Sequence, residues 1–580
     1  MRGFLKYFLT FLLGLLIGTV GLVAIFFFAV ASVENPAEEI EVQENSVISL
    51  KLPVVIEDCV EEDDISKVFN LLSNTSNLGL NELTSLFNRA SEDKNIKGIY
   101  LDAGLYAGGY ATAKEIRNLI HDFRKTDKFI YSYSENYTEQ GYYIASACDS
   151  IFLNPNGMCE LNGLGAGITM YKGLFDQVGL EMQVFKAGKF KGAVEPFVNS
   201  ELSKENRYQI QTYLKSLHQT QKNEIQKDRG MDMLQLDSFI ASNDGFEAEK
   251  CRDAKIVDDL IYWDQFHQKV ATNKTNWIKA KNYLNTESKY EYSENRIAVL
   301  YLSGEIISGT SEDGKQIASN DVIRELKSIR KDKKIKALIL RINSPGGSSA
   351  ASDIIAREIE LTKKQIPVYA SYGNVAASGG YYISCLADSI FASKNSITGS
   401  IGVFAIIPNT QKLYKEKLGL GYESVKTNEN ATLWRPDAPL TAFQQQKIQK
   451  MINKVYGDFT GIVSRGRNIP LEKVKELAEG RVYSGIDAKK VGLIDAFGGL
   501  TDVIKYVENS RNLEGARMVS YPKASSPFES LLKKINGESP LSLTKELNSN
   551  KITKEIMETV EVLETFVGPQ MRLPWSTSIH

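Results

Sequence analysis

The sequence predicts an α/β protein whose plan is laid down twice. Short apolar, β-branched runs alternate with stretches of helical spacing, the pattern of parallel strands joined by helices. The same order of segments then recurs about 240 residues later, too long a period for a solenoid and right for two related domains. A third observation, a charge-free run near the start, predicts a single membrane-spanning helix ahead of both copies.

That run is "YFLTFLLGLLIGTVGLVAIFFFAVA", from Tyr7 to Ala31. It exceeds the roughly 20 apolar residues a helix needs to cross a bilayer. Arg2 and Lys6 precede it, while Glu34, Glu38 and Glu39 follow. The bias of positive charge then keeps residues 1–33 as a cytoplasmic N-terminus and anchor, with the bulk of the chain on the far side of the membrane. The rival reading is a cleaved signal peptide, for which "AVAS" offers a site, but the apolar run is long for one. Both readings export the remainder.

The two copies are expected over 45–290 and 295–520. "KNIKGIYLDAGLYAGGYATAKEIRNLI" lies above "KKIKALILRINSPGGSSAASDIIAREI", so that Lys97 falls on Lys336, Leu101 on Leu340 and Gly108 on Gly347. The offset carries on to "QGYYIASACDSIF" against "GGYYISCLADSIF". Further along, "FDQVGLEMQVFK" resembles "YKEKLGLGYESVK", and "EAEKCRDAKIVDDL" resembles "SGIDAKKVGLIDAF".

Within the second copy, "IKALILRI" reads as a buried strand and "ASDIIAREIELTKK" as a helix with basic residues at its end. "IPVYASY" is a second strand with Pro367 at its start, where a missing N–H is tolerated. A helix follows Gly380, and "SIFAS" opens a third strand. Beyond Tyr521, "FESLLKKI" and "ITKEIMETVEVLETFV" have helical spacing, so 521–580 reads as a helical tail without an assigned role.

Composition closes off several functions. A chain of 580 residues is too long for one core. A formal charge of -2 provides no basic field for nucleic acid. The five cysteines are scattered and never spaced C-x-x-C, which argues against a zinc site or a disulfide framework. No metal or cofactor is expected.

Where the copies differ, chemistry belongs to one of them. Ser378, in "NVAASGGYYIS", falls opposite Glu139, and "NSPGGS" falls opposite "GLYAGG". A serine before a helix is commonly only a cap. Here Gly379 and Gly380 permit a sharp strand-to-helix turn that exposes the hydroxyl, and the helix N-terminus favours negative charge. The turn at Pro345-Gly346-Gly347 ends the preceding strand. An outward amide from Gly346 or Gly347, paired with that of Gly379, would make an oxyanion hole, each donor worth about 2.7–4 kcal/mol. Sequence does not choose between Gly346 and Gly347.

The base is the harder question. The four histidines, His121, His218, His267 and His580, lie outside the glycine turns, so a Ser-His-Asp triad has no supporting motif. Lysine is the alternative. In "FKAGKFKGAVEPF", Lys186 aligns with Lys426, whereas Lys189 and Lys191 have no counterpart in the second copy. Lys191 precedes Gly192-Ala193-Val194, an apolar setting able to strip water from an amine. Bringing its pKa from about 10.4 to 7–8 costs about 3–5 kcal/mol, which the fold must supply.

"INSPGGSSAAS", "AASGGYYIS", "TGSIGVF", "FKGAVEPF" and "RVYSGIDAKKVGLID", in this order of function if not of chain, resemble the long, duplicated form of the signal peptide peptidase A (protease IV) family. The resemblance runs over nearly the whole chain and implies the Clp protease/crotonase fold of repeated ββα units. It implies Ser378 as nucleophile, Lys191 rather than Lys189 as general base, an oxyanion glycine within Gly346-Gly347, and Ser400 of "TGSIG" as the hydroxyl that orients the amine. It further implies a homotetramer anchored in the inner membrane that degrades signal peptides and other apolar unfolded peptides. Two other readings share the pattern: a crotonase-type acyl-CoA enzyme, and a non-catalytic envelope scaffold.

Overall fold

The computed structural model describes residues 42–60, 78–271, 275–286, 293–311, 314–522 (except 429, 432 and 434) and 569–573, with residues 14, 18 and 21. All but those three residues of the expected membrane anchor, and the two helical stretches of the tail, lie outside the described residues. Among the described residues, no helix is long and apolar enough to cross a membrane.

The first half contributes β1 (Ser46–Lys51), β2 (Ile96–Asp102), β3 (Phe129–Ser134), β4 (Ser150–Leu153), β5 (Glu181–Ala187), β6 (Asp259–Leu260) and β7 (Asn276–Lys279). All except β5 form one parallel sheet in the order β6-β4-β3-β2-β1-β7. The second half contributes β8 (Arg296–Ser303), β9 (Ile306–Ile307), β10 (Ile317–Ala318), β11 (Ile335–Ser344), β12 (Gly346–Ser348), β13 (Val368–Ala377), β14 (Ser389–Ala392), β15 (Ile397–Gly399), β16 (Val403–Asn409), β17 (Val482–Ser484), β18 (Ala496–Phe497) and β19 (Arg517–Tyr521). Its parallel ladder β18-β14-β13-β11-β8-β19 repeats the first, strand for strand. The duplication legible in the sequence is therefore a duplication of topology.

The strands are continuous apolar runs because helices cover both faces. Ile99 and Leu101 of β2, like Leu338 and Leu340 of β11, are wholly buried. Helix Ser349–Lys363 buries Ala351, Ile355 and Ile359 and ends on Lys363, as its spacing predicts. Its N-cap Ser348 accepts from the Ala351 amide.

A third sheet departs from the all-parallel expectation. Its order is β10-β9-β12-β20-β16-β5, where β20 is Gln570–Arg572 of the C-terminal tail. Strand β5 of the first half runs antiparallel to β16 of the second, Ala187 opposite Val403. β20 runs antiparallel to both β12 and β16. The described part of the tail is thus a strand rather than a helix. The likeness of 175–186 to 414–426 is a likeness of structure only in its helical first part, Lys172–Val178 against Leu413–Lys417. β5 is a strand, while residues 419–426 have no regular structure.

Two polar devices lock the halves together. Position 109 falls on Ser348 in the repeat, but as glycine it cannot cap its own helix, Tyr110–Phe123. Asn374, on β13 of the other half, does so instead. Its Oδ1 accepts from the amides of Ala111 and Thr112 (3.1 Å each), and its Nδ2 donates to Thr112 Oγ1 (2.9 Å). The second device is Arg341 on β11, wholly buried in an apolar strand. Its Nη2 donates to Asp58 Oδ1 and to Glu115 Oε1 at 2.6 Å each, both carboxylates of the first half. Glu115 Oε2 also accepts from the Leu500 amide (2.8 Å). Burial raises the Glu115 carboxyl above its ordinary range.

Removing Arg341 leaves two buried carboxylates without their cation. Arg341→Ala is expected to cost about 3–5 kcal/mol. Arg341→Met combined with Asp58→Asn and Glu115→Gln is expected to recover much of that loss. Thermal unfolding of the three proteins checks this, and equal midpoints for Arg341→Ala and wild type would contradict it.

Candidate active site

Ser378 ends β13. That strand outruns β14 and pairs at Val375–Ala377 with β15, Ala377 opposite Gly399. The Ser378 amide donates to the Gly399 carbonyl at 2.8 Å, so the residue after Ala377 meets the residue after Gly399, which is Ser400. Both serines have positive φ, 54° at Ser378 and 50° at Ser400. Such a conformation in a residue other than glycine costs about 1–3 kcal/mol and persists only where the surroundings enforce it. Helix Gly379–Ser384 begins immediately after Ser378, and the Tyr382 amide donates back to the Ser378 carbonyl at 2.8 Å.

Lys191 arrives from the other half. The β5–β16 ladder brings Ala187 opposite Val403, three residues beyond Ser400. The chain then turns at Gly188, with φ 109°. The Phe190 amide donates to the Glu479 carbonyl at 2.8 Å. Gln209 grips both sides, donating to the Phe190 carbonyl (2.9 Å) and accepting from the Val482 amide (3.2 Å). Phe175, Met182, Ala193, Val194 and Phe197 pack with Phe404 and Ile406 to form the apolar wall on this side.

Close approach of the loop 478–481 requires glycine. At Gly480, with φ 73°, a Cβ would lie 2.7–2.9 Å from the Lys191 backbone nitrogen, Cβ and Cα. The same loop receives the Ser400 amide on the Arg481 carbonyl at 2.7 Å. One backbone segment therefore seats both the lysine and the serine beside it.

The three side chains converge. Lys191 Nζ lies 2.8 Å from Ser378 Oγ, 2.9 Å from Ser400 Oγ and 3.1 Å from the Ser400 carbonyl. All three residues are 0 % exposed. The neighbours of the amine are hydroxyl and carbonyl oxygens, with no carboxylate bridged to it among the described residues. Burial therefore acts unopposed and holds the Lys191 pKa well below the ordinary 10.5. As an ammonium the group donates to all three oxygens. As a free amine its lone pair can accept the Ser378 hydroxyl proton. Lys189, two residues away, is exposed and lies over the Phe190 ring.

The glycines that the sequence singles out meet on one side of Ser378. Gly346 (φ 105°) and Gly347 (φ 154°) both need glycine. A Cβ on Gly346 would lie 2.8 Å from the Gly379 nitrogen and 1.9 Å from the Met571 carbonyl oxygen. The Gly346 amide donates to Ser344 Oγ at 3.2 Å. Neither His121 nor His267 joins this group: His121 lies 3.1 Å from Asp228, and His267 stacks on Trp277. Among the described residues, no cluster of His, Cys, Asp and Glu could hold a metal ion. Three contributors escaped the sequence reading: Gln209, Gly480 and the tail strand. Gly480 stands just before "RVYSG", a motif the resemblance had already marked.

Comparison with known proteins adds an independent line. The profile described as Peptidase family S49 matches residues 122–276 and again 360–514, and the profile Clp protease matches 288–396. The chain is 31% identical over 505 residues to "Serine protease SPPA, chloroplastic" of Arabidopsis thaliana, covering 84% of this chain and 73% of that protein. It is 33% identical over 443 residues to "Protease 4" of Haemophilus influenzae, covering 73% and 72%. A third relative, "Putative signal peptide peptidase SppA" of Enterococcus faecium, is 34% identical over 254 residues, 43% of this chain and 74% of that one.

The buried amine makes a prediction about stability. Between its depressed folded pKa and the ordinary 10.5, Lys191 binds fewer protons folded than unfolded, so stability rises with pH across that window. Lys191→Met lacks this dependence. The stability of Lys191→Met relative to wild type is expected to be greatest at the acid end of the window and to decline toward pH 10.5, measured as thermal midpoints. A difference that stays constant with pH would contradict the assignment.

Proposed function

This chain belongs to peptidase family S49 and is a serine protease; we propose that it works through a Ser378–Lys191 dyad, is anchored in the membrane, and degrades signal peptides released by preprotein processing. Family membership sets aside the acyl-CoA and scaffold readings. The observation that carries the dyad is the 2.8 Å approach of a buried amine, with no carboxylate partner among the described residues, to an alcohol on a strained turn.

In this mechanism neutral Lys191 takes the Ser378 proton as Oγ attacks the peptide carbonyl. The developing oxyanion is held by the Gly379 amide and by that of Gly346 or Gly347. Lys191 then gives its proton to the departing amine. The Lys191 amine then deprotonates a water, whose oxygen attacks the acyl carbon; the bond to Ser378 Oγ breaks, and Lys191 returns the proton to Oγ. Ser400 keeps Nζ aimed through its hydroxyl and its carbonyl, acting as a positioning residue. The strain at Ser378 fixes the hydroxyl in place, so little orientation is lost on the way to the transition state.

The remaining parts of the proposal rest on sequence and resemblance. The run Tyr7–Ala31 supports a single-pass inner-membrane anchor with the catalytic halves on the extracytoplasmic side. Signal peptides, with their apolar centres, suit a site walled by apolar side chains. Leu418, Leu420, Tyr422 and Val425, all more than half exposed, offer a surface for the homotetramer that the resemblance implies.

Casein and a synthetic signal peptide serve as substrates for the test. Ser378→Ala and Lys191→Met are each expected to lower kcat/KM by at least about 10⁴-fold, and Ser400→Ala by about 10–100-fold. Fluorophosphonate labelling is expected to vanish in Ser378→Ala. Because only the free amine is a base, wild-type kcat/KM is expected to rise with pH on a limb whose midpoint falls below 10.5. Equal turnover by wild type, Ser378→Ala and Lys191→Met would sink the dyad.

A further inference from the structure

The lysine is presented by a turn, and the turn is held by one amide side chain. Lys191 has φ -75° and ψ 77°, the conformation at the centre of an inverse γ-turn. The turn closes where the Gly192 amide donates to the Phe190 carbonyl at 2.8 Å. Three residues closed by one hydrogen bond do not by themselves hold a side chain to the fraction of an ångström that proton transfer needs.

The Phe190 carbonyl accepts a second bond, from Gln209 Nε2 at 2.9 Å. Gln209 stands on helix Lys204–Arg229 of the first half and is 2 % exposed. Its Oε1 accepts from the Val482 amide at 3.2 Å. Val482 lies opposite Gly399 in the antiparallel β15–β17 ladder. The Gly399 carbonyl accepts from the Ser378 amide (2.8 Å), and the Arg481 carbonyl, next to Val482, accepts from the Ser400 amide (2.7 Å). One side chain thus joins the turn that carries the amine to the backbone that carries both serines.

The direction of this amide is not free. The two ends of a carboxamide differ in that one accepts and the other donates. The Val482 N–H can only donate, so it requires Oε1. Gln209 Nε2 also donates to Asn206 Oδ1 at 2.8 Å, and Asn206 Nδ2 donates to Glu195 Oε2 at 3.1 Å. The Glu195 carboxylate accepts as well from the Ser203 hydroxyl (2.6 Å) and amide (3.0 Å). The series Glu195–Asn206–Gln209–Val482 therefore starts on a pure acceptor and ends on a pure donor, which leaves each carboxamide between them one orientation. That orientation aims the Gln209 NH₂ group at the Phe190 carbonyl. Asn206 also packs on the turn, since a Cβ on Gly192 would fall 2.4 Å from its Nδ2.

We propose that Gln209 is a positioning residue for the base: its side chain clamps the Phe190–Gly192 turn to the strand beside Ser400 and so sets the distance from Lys191 to Ser378. The inference rests on the Ser378–Lys191 reading and extends it to a residue that bonds to none of the three converging side chains. Without the clamp the turn can withdraw and water can reach the amine. Withdrawal slows proton transfer, and water favours the ammonium. Peptide binding does not depend on the clamp, so the loss falls on kcat and not on KM.

The test compares full-length Gln209→Glu, Gln209→Met and Lys191→Met with wild type on a synthetic signal peptide, below the thermal midpoint of each. As a carboxylate, Gln209→Glu keeps the shape and the acceptor for Val482 but has no donor for Phe190; Gln209→Met has neither. Gln209→Glu guards against a misfolded Gln209→Met. Each is expected to lower kcat about 10–100-fold with KM within about twofold of wild type. The rate of fluorophosphonate labelling should fall by the same factor, and the midpoint of the pH limb should move up toward 10.5. Gln221→Met, equally buried further along the same helix, is the control and should keep wild-type kcat. Wild-type kcat in both Gln209 variants while Lys191→Met is inactive overturns the clamp and leaves the dyad standing. An equal loss in Gln221→Met, or a loss expressed in KM alone, also overturns the clamp. Wild-type turnover by Lys191→Met overturns the dyad and the clamp with it.

Discussion

The site depends on burying one lysine amine with no counter-ion beside it among the described residues. In water the amine would hold its proton through neutral pH and could not act as a base. The fold removes that water by inserting Lys191 between the Phe404–Ile406 wall and the loop 478–481, and it gives Nζ only neutral oxygens. An aspartate or glutamate at bonding distance would favour the ammonium and defeat the arrangement. Much of the architecture around the site serves to hold an apolar, carboxylate-free pocket closed around a group that would be better solvated outside.

That requirement explains why the two halves are joined so firmly. The amine comes from the first half and the alcohol from the second, so their distance is set by the interface and not by either core. The β5–β16 ladder, the cap that Asn374 gives to the opposite helix and the Arg341 pairing with Asp58 and Glu115 all cross that interface. Asn374 lies four residues before Ser378 on the same strand and Arg341 on the neighbouring one, so these locks fix the strands that carry the site. A shift of about 1 Å there would cost far more activity than stability.

The repeated αβ plan was legible because continuous apolar strands and amphipathic helices leave local patterns, and the second copy checked the first. Ser378 stood out for a different reason, because it breaks the correspondence between copies; Lys189 and Lys191 both do so, and the choice of Lys191 came from the family resemblance. The mixed third sheet was not legible. Its strands β9, β10, β12 and β20 span two or three residues each, too few for any period to show. "QMRL" does alternate, but four residues are too few to mark a strand, and its pairing edges come from residues more than 150 positions away. Arg341 looked like one charge in an apolar strand, and its carboxylates stand 283 and 226 positions distant. Gly480 needed knowledge that a lysine from the other half would press against it.

The central claim concerns the charge on one atom, and that can be observed directly. Protein labelled with ¹³C at lysine Cε, titrated by NMR beside Lys191→Met to identify the resonance, reports the ionisation of Lys191 itself. A single resonance, absent from the variant, that titrates well below 10.5 is the result this account predicts. A Lys191 resonance that titrates at or above 10.5 would mean the amine stays charged, and neither the base nor the mechanism built on it would stand.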